Sequence, residues 1–360
     1  MENTITVVKV GSNTIVDDQG IIRKEVIHDI ITTLGDVISK GGRAILVTSG
    51  AVKLGRISLS KDIASQDISA AVAASVGQTI LFDAYLREAN KSNLVLAQFL
   101  LTRPYIVTRE HFLNLQSTFN SLLDKKIIPV VNENDALVAH TDWSFGDNDS
   151  LAASLAISFN ARRLIIVSHI EGLFNADPTT DSNAELISTV RDVNAELLKY
   201  CSPGASSGGR GGMLSKLKAA RIATAVGIEV RIISGLESGN LSKALDNKDV
   251  GTLFLPRNSE STISNRDRWL LVAKNSAGSI EIDPGAVEAL KNGKSLLAVG
   301  VKRVNGQFEK KEIVEIVDPE KQGIAFGIVD YSSKEVVEML RTDNVRDIRL
   351  MHTDNMIIIR

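Results

Sequence analysis

Up to about residue 256, short β-branched apolar runs alternate with longer stretches in which apolar residues recur every three or four positions. The runs suit strands buried on both faces and the stretches suit amphipathic helices. Together they predict βαβ units and a mainly parallel sheet between helical layers, an α/β fold. Strands are expected at Thr4 to Val10, Arg43 to Thr48, Leu94 to Leu100, Ile127 to Val131, Arg163 to Ser168 and Glu229 to Ile233. Two stripes, Ile68, Val72, Val76, Ile80, Ala84 and Phe112, Leu115, Phe119, Leu122, have helical spacing and are expected in the core.

The pattern changes after Pro256. Arg257 to Arg268 is charged and lacks a periodic apolar face, which reads as a connection between domains. From Ala277 to Thr353 short runs return with Gly-rich turns: strands at Lys294 to Val301, Ile313 to Val317 and Gly323 to Val329, and helices at Ala286 to Lys291 and Ser333 to Leu340. The expected organisation is a parallel-sheet domain over 1–256, a linker over 257–276 and a small, mostly β module over 277–353.

Composition narrows the function classes. A chain of 360 residues with 44% apolar content can bury two ordinary cores. A net charge of −2 provides no field to hold a polyanion, so any phosphate must be bound by a local site. Acidic residues slightly outnumber basic ones in the C-terminal module, which lacks an electrostatic footprint for RNA. The single cysteine, Cys201, excludes an internal disulfide framework and fits a reducing compartment. Without a signal-like start or a membrane-length apolar run, a cytoplasmic location is expected. The five histidines show no metal-ligand spacing, and no Ser/His/Asp arrangement is evident. Asn292-Gly293-Lys294-Ser295 ends like a P-loop, but Glu288 stands where the leading glycine belongs.

Ligands of parallel α/β sheets bind at the carboxyl ends of strands, and four places there carry candidate chemistry. Lys9 lies inside an apolar strand before Gly11-Ser12, and reads either as an edge-strand lysine or as an anion ligand. Thr48-Ser49-Gly50-Ala51 lets backbone amides approach an anion, or is a plain tight turn. Asn132-Glu133-Asn134-Asp135 and Gly146-Asp147-Asn148-Asp149 gather carboxylates and amides that could hold an ammonium or orient a lysine. Capped turns would look the same. Ser206 to Met213 is a glycine-rich loop entering a helix with Lys216 in its first turn, either a phosphate cradle or a flexible surface loop.

Taken in order along the chain, these motifs resemble the amino acid kinase family. So do Gln98 to Thr102, Phe112-Leu113-Asn114, Ile128 to Asn132, and Gly172-Leu173-Phe174 leading to Ala176-Asp177-Pro178. The C-terminal module, with Ile280 to Ala286 and Ser295-Leu296-Leu297, resembles a PUA domain, a small pseudo-barrel. The resemblance implies an αβα sandwich joined to that pseudo-barrel, and ATP-dependent phosphorylation of the γ-carboxylate of L-glutamate, opening proline biosynthesis. Lys9 and Lys216 are then the cations around the transferred phosphoryl group, and Asp149 holds them. Ser49, Asp135 and Asn148 match glutamate-binding positions. Lys9, Gly11, Ser168, His169 and the run Arg210, Gly211, Gly212, Met213, Leu214, Ser215, Lys216 match nucleotide-binding positions.

The same resemblance implies Mg2+ bound with ATP, a homo-oligomer, feedback by proline, and a glutamate-5-semialdehyde dehydrogenase acting on the product. Two departures touch the nucleotide pocket. Ser168-His169 stands where Thr-Asp is usual, and Arg210 where threonine is usual. Family members acting on N-acetylglutamate, aspartate, carbamate or UMP are the nearest rivals, and the PUA-like tail argues against them.

Overall fold

The computed structural model describes residues 4–60, 68–138, 144–178, 180–194, 197, 212–256, 264–272, 278–341 and 347–358. It divides into two compact units, Met1–Tyr105 with Glu110–Ser259, and Ile106–Arg109 with Glu260–Arg360.

The first unit is built on an eight-stranded sheet in the order β3-β4-β2-β1-β5-β7-β8-β6. Its strands are β1 (Ile5–Val10), β2 (Arg43–Val47), β3 (Leu96–Leu101), β4 (Ile128–Glu133), β5 (Arg163–Ser168), β6 (Thr189–Val190), β7 (Glu229–Ser234) and β8 (Thr252–Phe254). All pairings are parallel except β7 with β8. β1, β4 and β5 are buried along their whole length, as strands covered on both faces must be. The six expected strands are present to within two residues at each end. β6 and β8 are too short for a periodicity to register.

Between residues 4 and 256 the described helices are α1 (Ser12–Ile15), α2 (Lys24–Ser39), α3 (Ala51–Leu59), α4 (Ala70–Lys91), α5 (Pro104–Val107), α6 (Arg109–Asp124), α7 (Asp135–Val138), α8 (Asn148–Ser158), α9 (Met213–Ala225) and α10 (Asn240–Leu245). On α6, Phe112, Leu115 and Phe119 are buried as expected, while Leu122 is only half-buried and Leu123 is buried in its place. Of the expected stripe, Ile68 is buried and Ile80 and Ala84 pack partly buried against the core, but Val72 is 51% exposed, and the most buried face of α4 carries Ala73, Ala74, Gly77, Gln78, Leu81 and Tyr85. The cause is close packing on α3. A Cβ at Gly77 would lie 1.8 Å from Ala51 O, and one at Gly55 would lie 1.7 Å from Ala73 O. Small residues mark this contact, and a search for large apolar side chains passes over them.

The second unit has a five-stranded sheet, β11-β9-β12-β13-β15, and a separate pair, β10-β14. Its strands are β9 (Gly278–Ile282), β10 (Leu296–Leu297), β11 (Val301–Gly306), β12 (Ile313–Val317), β13 (Gly323–Ile328), β14 (Arg349–Met351) and β15 (Met356–Ile358). Its helices are α11 (Asn265–Val272), α12 (Pro284–Lys291) and α13 (Ser333–Met339). The expected strand Lys294 to Val301 is broken: β10 gives way to a 3-10 turn at Ala298–Gly300 before β11 begins. The run is apolar because Leu296, Ala298 and Val301 enter the core, which a turn achieves as well as a strand. Part of the stretch read as a connection forms α11, where Leu270 and Leu271 are buried. Asp283 caps α12 and Ser332 with Glu335 forms a capping box on α13, so local sequence fixes both helix starts.

Candidate active site

The site is assembled at the carboxyl ends of β1, β2, β4 and β5. The Gly11 N–H donates to Val167 O at 3.0 Å and ties the turn after β1 to the end of β5. After β2, Gly50 has φ +113°, a left-handed conformation that strains any L side chain. The turn that brings Ser49 to the sheet's edge therefore depends on glycine.

Lys9 is only 5% exposed although it sits in a central strand. Its Nζ lies 2.7 Å from Asp149 Oδ1. Lys216, in the first turn of α9, reaches Asp149 Oδ2 at 3.1 Å, and the Ser215 hydroxyl donates to the same oxygen at 2.7 Å. Burial alone would raise the Asp149 pKa. The two ammonium groups outweigh burial and hold it at about 2. Lys216 is depressed, first by burial and then by Lys9, against the pull of Asp149. Two buried ammonium groups thus share one carboxylate. The next carboxylate, Asp147, is pushed up by burial and caps α8 by accepting from Ser150 N at 2.7 Å. A tetrahedral anion between the lysines would complete this arrangement.

A neutral network lies beside it. Asn148 Nδ2 donates to Ser49 Oγ at 2.9 Å and to Asn132 Oδ1 at 3.0 Å. Asn132 Nδ2 donates to Gln78 Oε1 at 2.8 Å. Among the described residues Asn148 Oδ1 is buried without a hydrogen-bond partner, an acceptor that an ammonium group would satisfy. Asp135, half-buried, opens α7 just after β4.

On the opposite side, Ser168 is buried at the end of β5, and its carbonyl accepts from Gly235 N at 2.8 Å. His169 follows, exposed as a residue but with its ring partly shielded from water. Its imidazole is held below its ordinary pKa by burial, then by Lys216, Arg23 and Lys53, with Asp18 pulling the other way. Arg23 and Lys53 are fixed by the turn after β1: Arg23 Nη1 donates to Asn13 O at 2.7 Å, and Lys53 Nζ to Val16 O at 3.1 Å. Gly212, Met213 and Leu214 lead into α9. Arg210, Gly211 and the rest of the loop from Ser206, like Cys201, lie outside the described residues.

The structure therefore brings Lys9, Lys216 and Asp149 into direct contact, with Ser215 against them, and joins Ser49 to Asn148. Sequence reasoning missed Gln78, Arg23 and Lys53. A lone amide on the Ala74, Leu81, Tyr85 face of α4 is a signal for Gln78, and none marks the other two. Among the described residues no three His, Cys, Asp or Glu side chains gather where they could hold a metal, and no helix is long and apolar enough to cross a membrane.

The sequence profile of the amino acid kinase family matches residues 4–234, and that of the PUA domain matches 278–349. The chain belongs to the amino acid kinase family. Within it, the chain is similar over nearly its whole length to curated proteins named glutamate 5-kinase. The one from Pelobacter propionicus is 35% identical, with 98% of this chain and 97% of that protein covered. The one from Moorella thermoacetica is 36% identical, with 98% and 96% covered. A third, from Prochlorococcus marinus, is 37% identical, with 97% and 98% covered.

Proposed function

We propose that this protein transfers the γ-phosphoryl group of ATP to the side-chain carboxylate of L-glutamate, forming L-glutamyl 5-phosphate, the first step of proline biosynthesis. The observation that carries the reading is the convergence of Lys9 and Lys216 on Asp149, beside an amide network with an unsatisfied acceptor. Phosphoryl transfer needs alignment and stabilisation of charge on the phosphoryl oxygens more than covalent help. Lys9 and Lys216 supply that charge, and Asp149 keeps both ammonium groups aimed at one point. The acceptor carboxylate is already a nucleophile, so no general base is required. Ser49, Asp135 and Asn148 bind the glutamate, with Asn148 Oδ1 accepting from its ammonium.

Ser168, His169 and the residues from Arg210 to Lys216 receive the nucleotide, with Gly11 beside its phosphates. Mg2+ comes bound to ATP, since Asp149 is engaged by two lysines and Asp147 by a helix start. The catalytic unit runs over 1–256 and the PUA-like unit over 277–353. The exposed Val72 face of α4 favours a homo-oligomer formed through the kinase unit. The expected setting is the cytoplasm, with proline as a feedback inhibitor. The acyl phosphate product hydrolyses readily, so a reductase of the glutamate-5-semialdehyde dehydrogenase type acts next.

The test is ADP release by the purified protein across a panel of small carboxylic acids. ADP release that depends on free L-glutamate supports the reading. Turnover with N-acetylglutamate or aspartate and none with glutamate refutes it.

A further inference from the structure

We infer that Gln78, on α4, is a positioning residue that fixes which end of the Asn148 amide faces the substrate. Through it, the site requires a substrate carrying a free amino group. The inference rests on the glutamate reading above and follows a relay that begins at an unambiguous donor.

The Glu133 backbone N–H donates to Asn132 Oδ1 at 2.9 Å, so that oxygen is assigned by a group that can only donate. Asn132 Nδ2 must then be the atom facing Gln78, at 2.8 Å, which assigns Gln78 Oε1 as the acceptor. Asn148 meets the same Asn132 oxygen at 3.0 Å and so presents its Nδ2 there, which also donates to Ser49 Oγ at 2.9 Å. Both Asn148 amide protons are engaged, and among the described residues Oδ1 is left buried without a partner. In this orientation the site offers an acceptor to a ligand donor. With Asn148 turned over, an N–H would face the ligand and repel an ammonium group.

The relay is held by packing. Gln78 is 8% exposed and follows Gly77, whose missing side chain lets α4 settle against Ala51 O, just beyond Ser49-Gly50. The close α3–α4 contact therefore fixes the distance from Gln78 to Asn132. Without the Gln78 acceptor, Asn132 Nδ2 is stranded in a buried position. Turning Asn132 would break the Glu133 N–H to Asn132 Oδ1 bond instead, so the amide chain loses its single preferred arrangement.

The experiment compares kcat/KM for L-glutamate with kcat/KM for glutarate, which lacks the amino group, in wild type, Gln78→Met and Gln78→Glu. Met keeps the length and removes the acceptor, whereas Glu keeps an acceptor for Asn132. In Gln78→Met the glutamate-to-glutarate ratio falls roughly tenfold, through KM for glutamate, while KM for ATP stays at the wild-type value. In Gln78→Glu the ratio is retained. A merely structural role for Gln78 would lower turnover of both acids alike, and an unchanged ratio in Gln78→Met overturns the inference. Should that variant fail to fold, Gln78→Leu reads the same ratio. Absence of glutamate turnover in the wild type would refute the proposed function itself, whereas wild-type turnover with an unchanged ratio in the variant refutes only the relay.

Discussion

The two ends of the same parallel sheet bury cations in opposite ways. At the amino end, Arg163 Nη1 donates to Leu245 O at 2.7 Å and closes the last turn of α10, and Arg231 Nη1 donates to Lys248 O at 2.6 Å and Val250 O at 3.3 Å. Both guanidinium groups are held chiefly by main-chain carbonyls; Arg163 Nε also lies 4.0 Å from Glu229 Oε1, and among the described residues Arg231 Nε has no hydrogen-bond partner. At the carboxyl end, Lys9 and Lys216 converge on one carboxylate that is itself fully buried. The first arrangement closes main-chain ends of the fold, and the second gathers two cations on one carboxylate. Buried charge alone does not mark a functional site. What distinguishes this one is that its cations converge on a single buried point instead of being spread over main-chain carbonyls.

The largest expected effect breaks that comparison on the catalytic side. Lys9→Met and Lys216→Met each lower kcat by about a thousandfold, because each removes a cation that faces charge on the transferred group. Either change leaves one lysine paired with Asp149, so circular dichroism and the thermal midpoint stay near the wild type. Near-normal turnover in both variants would remove their assigned roles.

Arg163→Met should show the reverse. It strands Leu245 O and costs about 2 kcal/mol in urea unfolding, while kcat is unchanged. A loss of activity without a loss of stability would mean that the amino end takes part in function.

Asp149 provides a third measure. Its folded pKa of about 2 lies below the ordinary value of 3.8, so the unfolded chain binds its proton first as pH falls. The resulting stability, about 2 kcal/mol, is fully present above roughly pH 4 and is lost as pH drops through about 2. Urea midpoints at a series of acid pH values check this. Asp149→Asn should lack that acid limb, and an identical limb in both proteins would assign it elsewhere.

The smallest effect concerns His169. Its imidazole is depressed by burial and by Lys216, Arg23 and Lys53, and a bound polyphosphate offsets those cations and raises it. Nucleotide binding then takes up a proton, and KM for ATP rises by about threefold as pH climbs through the imidazole range. His169→Asn should flatten that component, while the titration of ATP itself is common to both proteins. Equal slopes would exclude His169 from the phosphate field.

Much of this was legible in the chain. Lys9 announced itself as a lysine in a valine-rich strand, and Asp149 and Lys216 as polar residues at helix starts beside Gly-rich turns. The second member of the acidic pair, Asp147, could not be separated from Asp149 by pattern. The family resemblance singled out Asp149, and the structure shows Asp147 as a helix cap and Asp149 as the lysine partner. Val72 misled for a related reason, since periodicity locates an apolar face without saying what covers it.

By itself, the sequence located the six longer strands of the first unit, the change of pattern after Pro256 and the strand ends at which polar residues collect. It could do so because these depend on local preference and on the spacing of apolar residues. The tertiary structure decided which of those polar residues share a partner, that Gln78 rather than Val76 faces inward, and that the arginines of β5 and β7 are structural. Those outcomes depend on close approach between segments distant in sequence, such as Gly77 against Ala51 or Lys9 and Lys216 around Asp149, and a linear pattern carries no record of such distances.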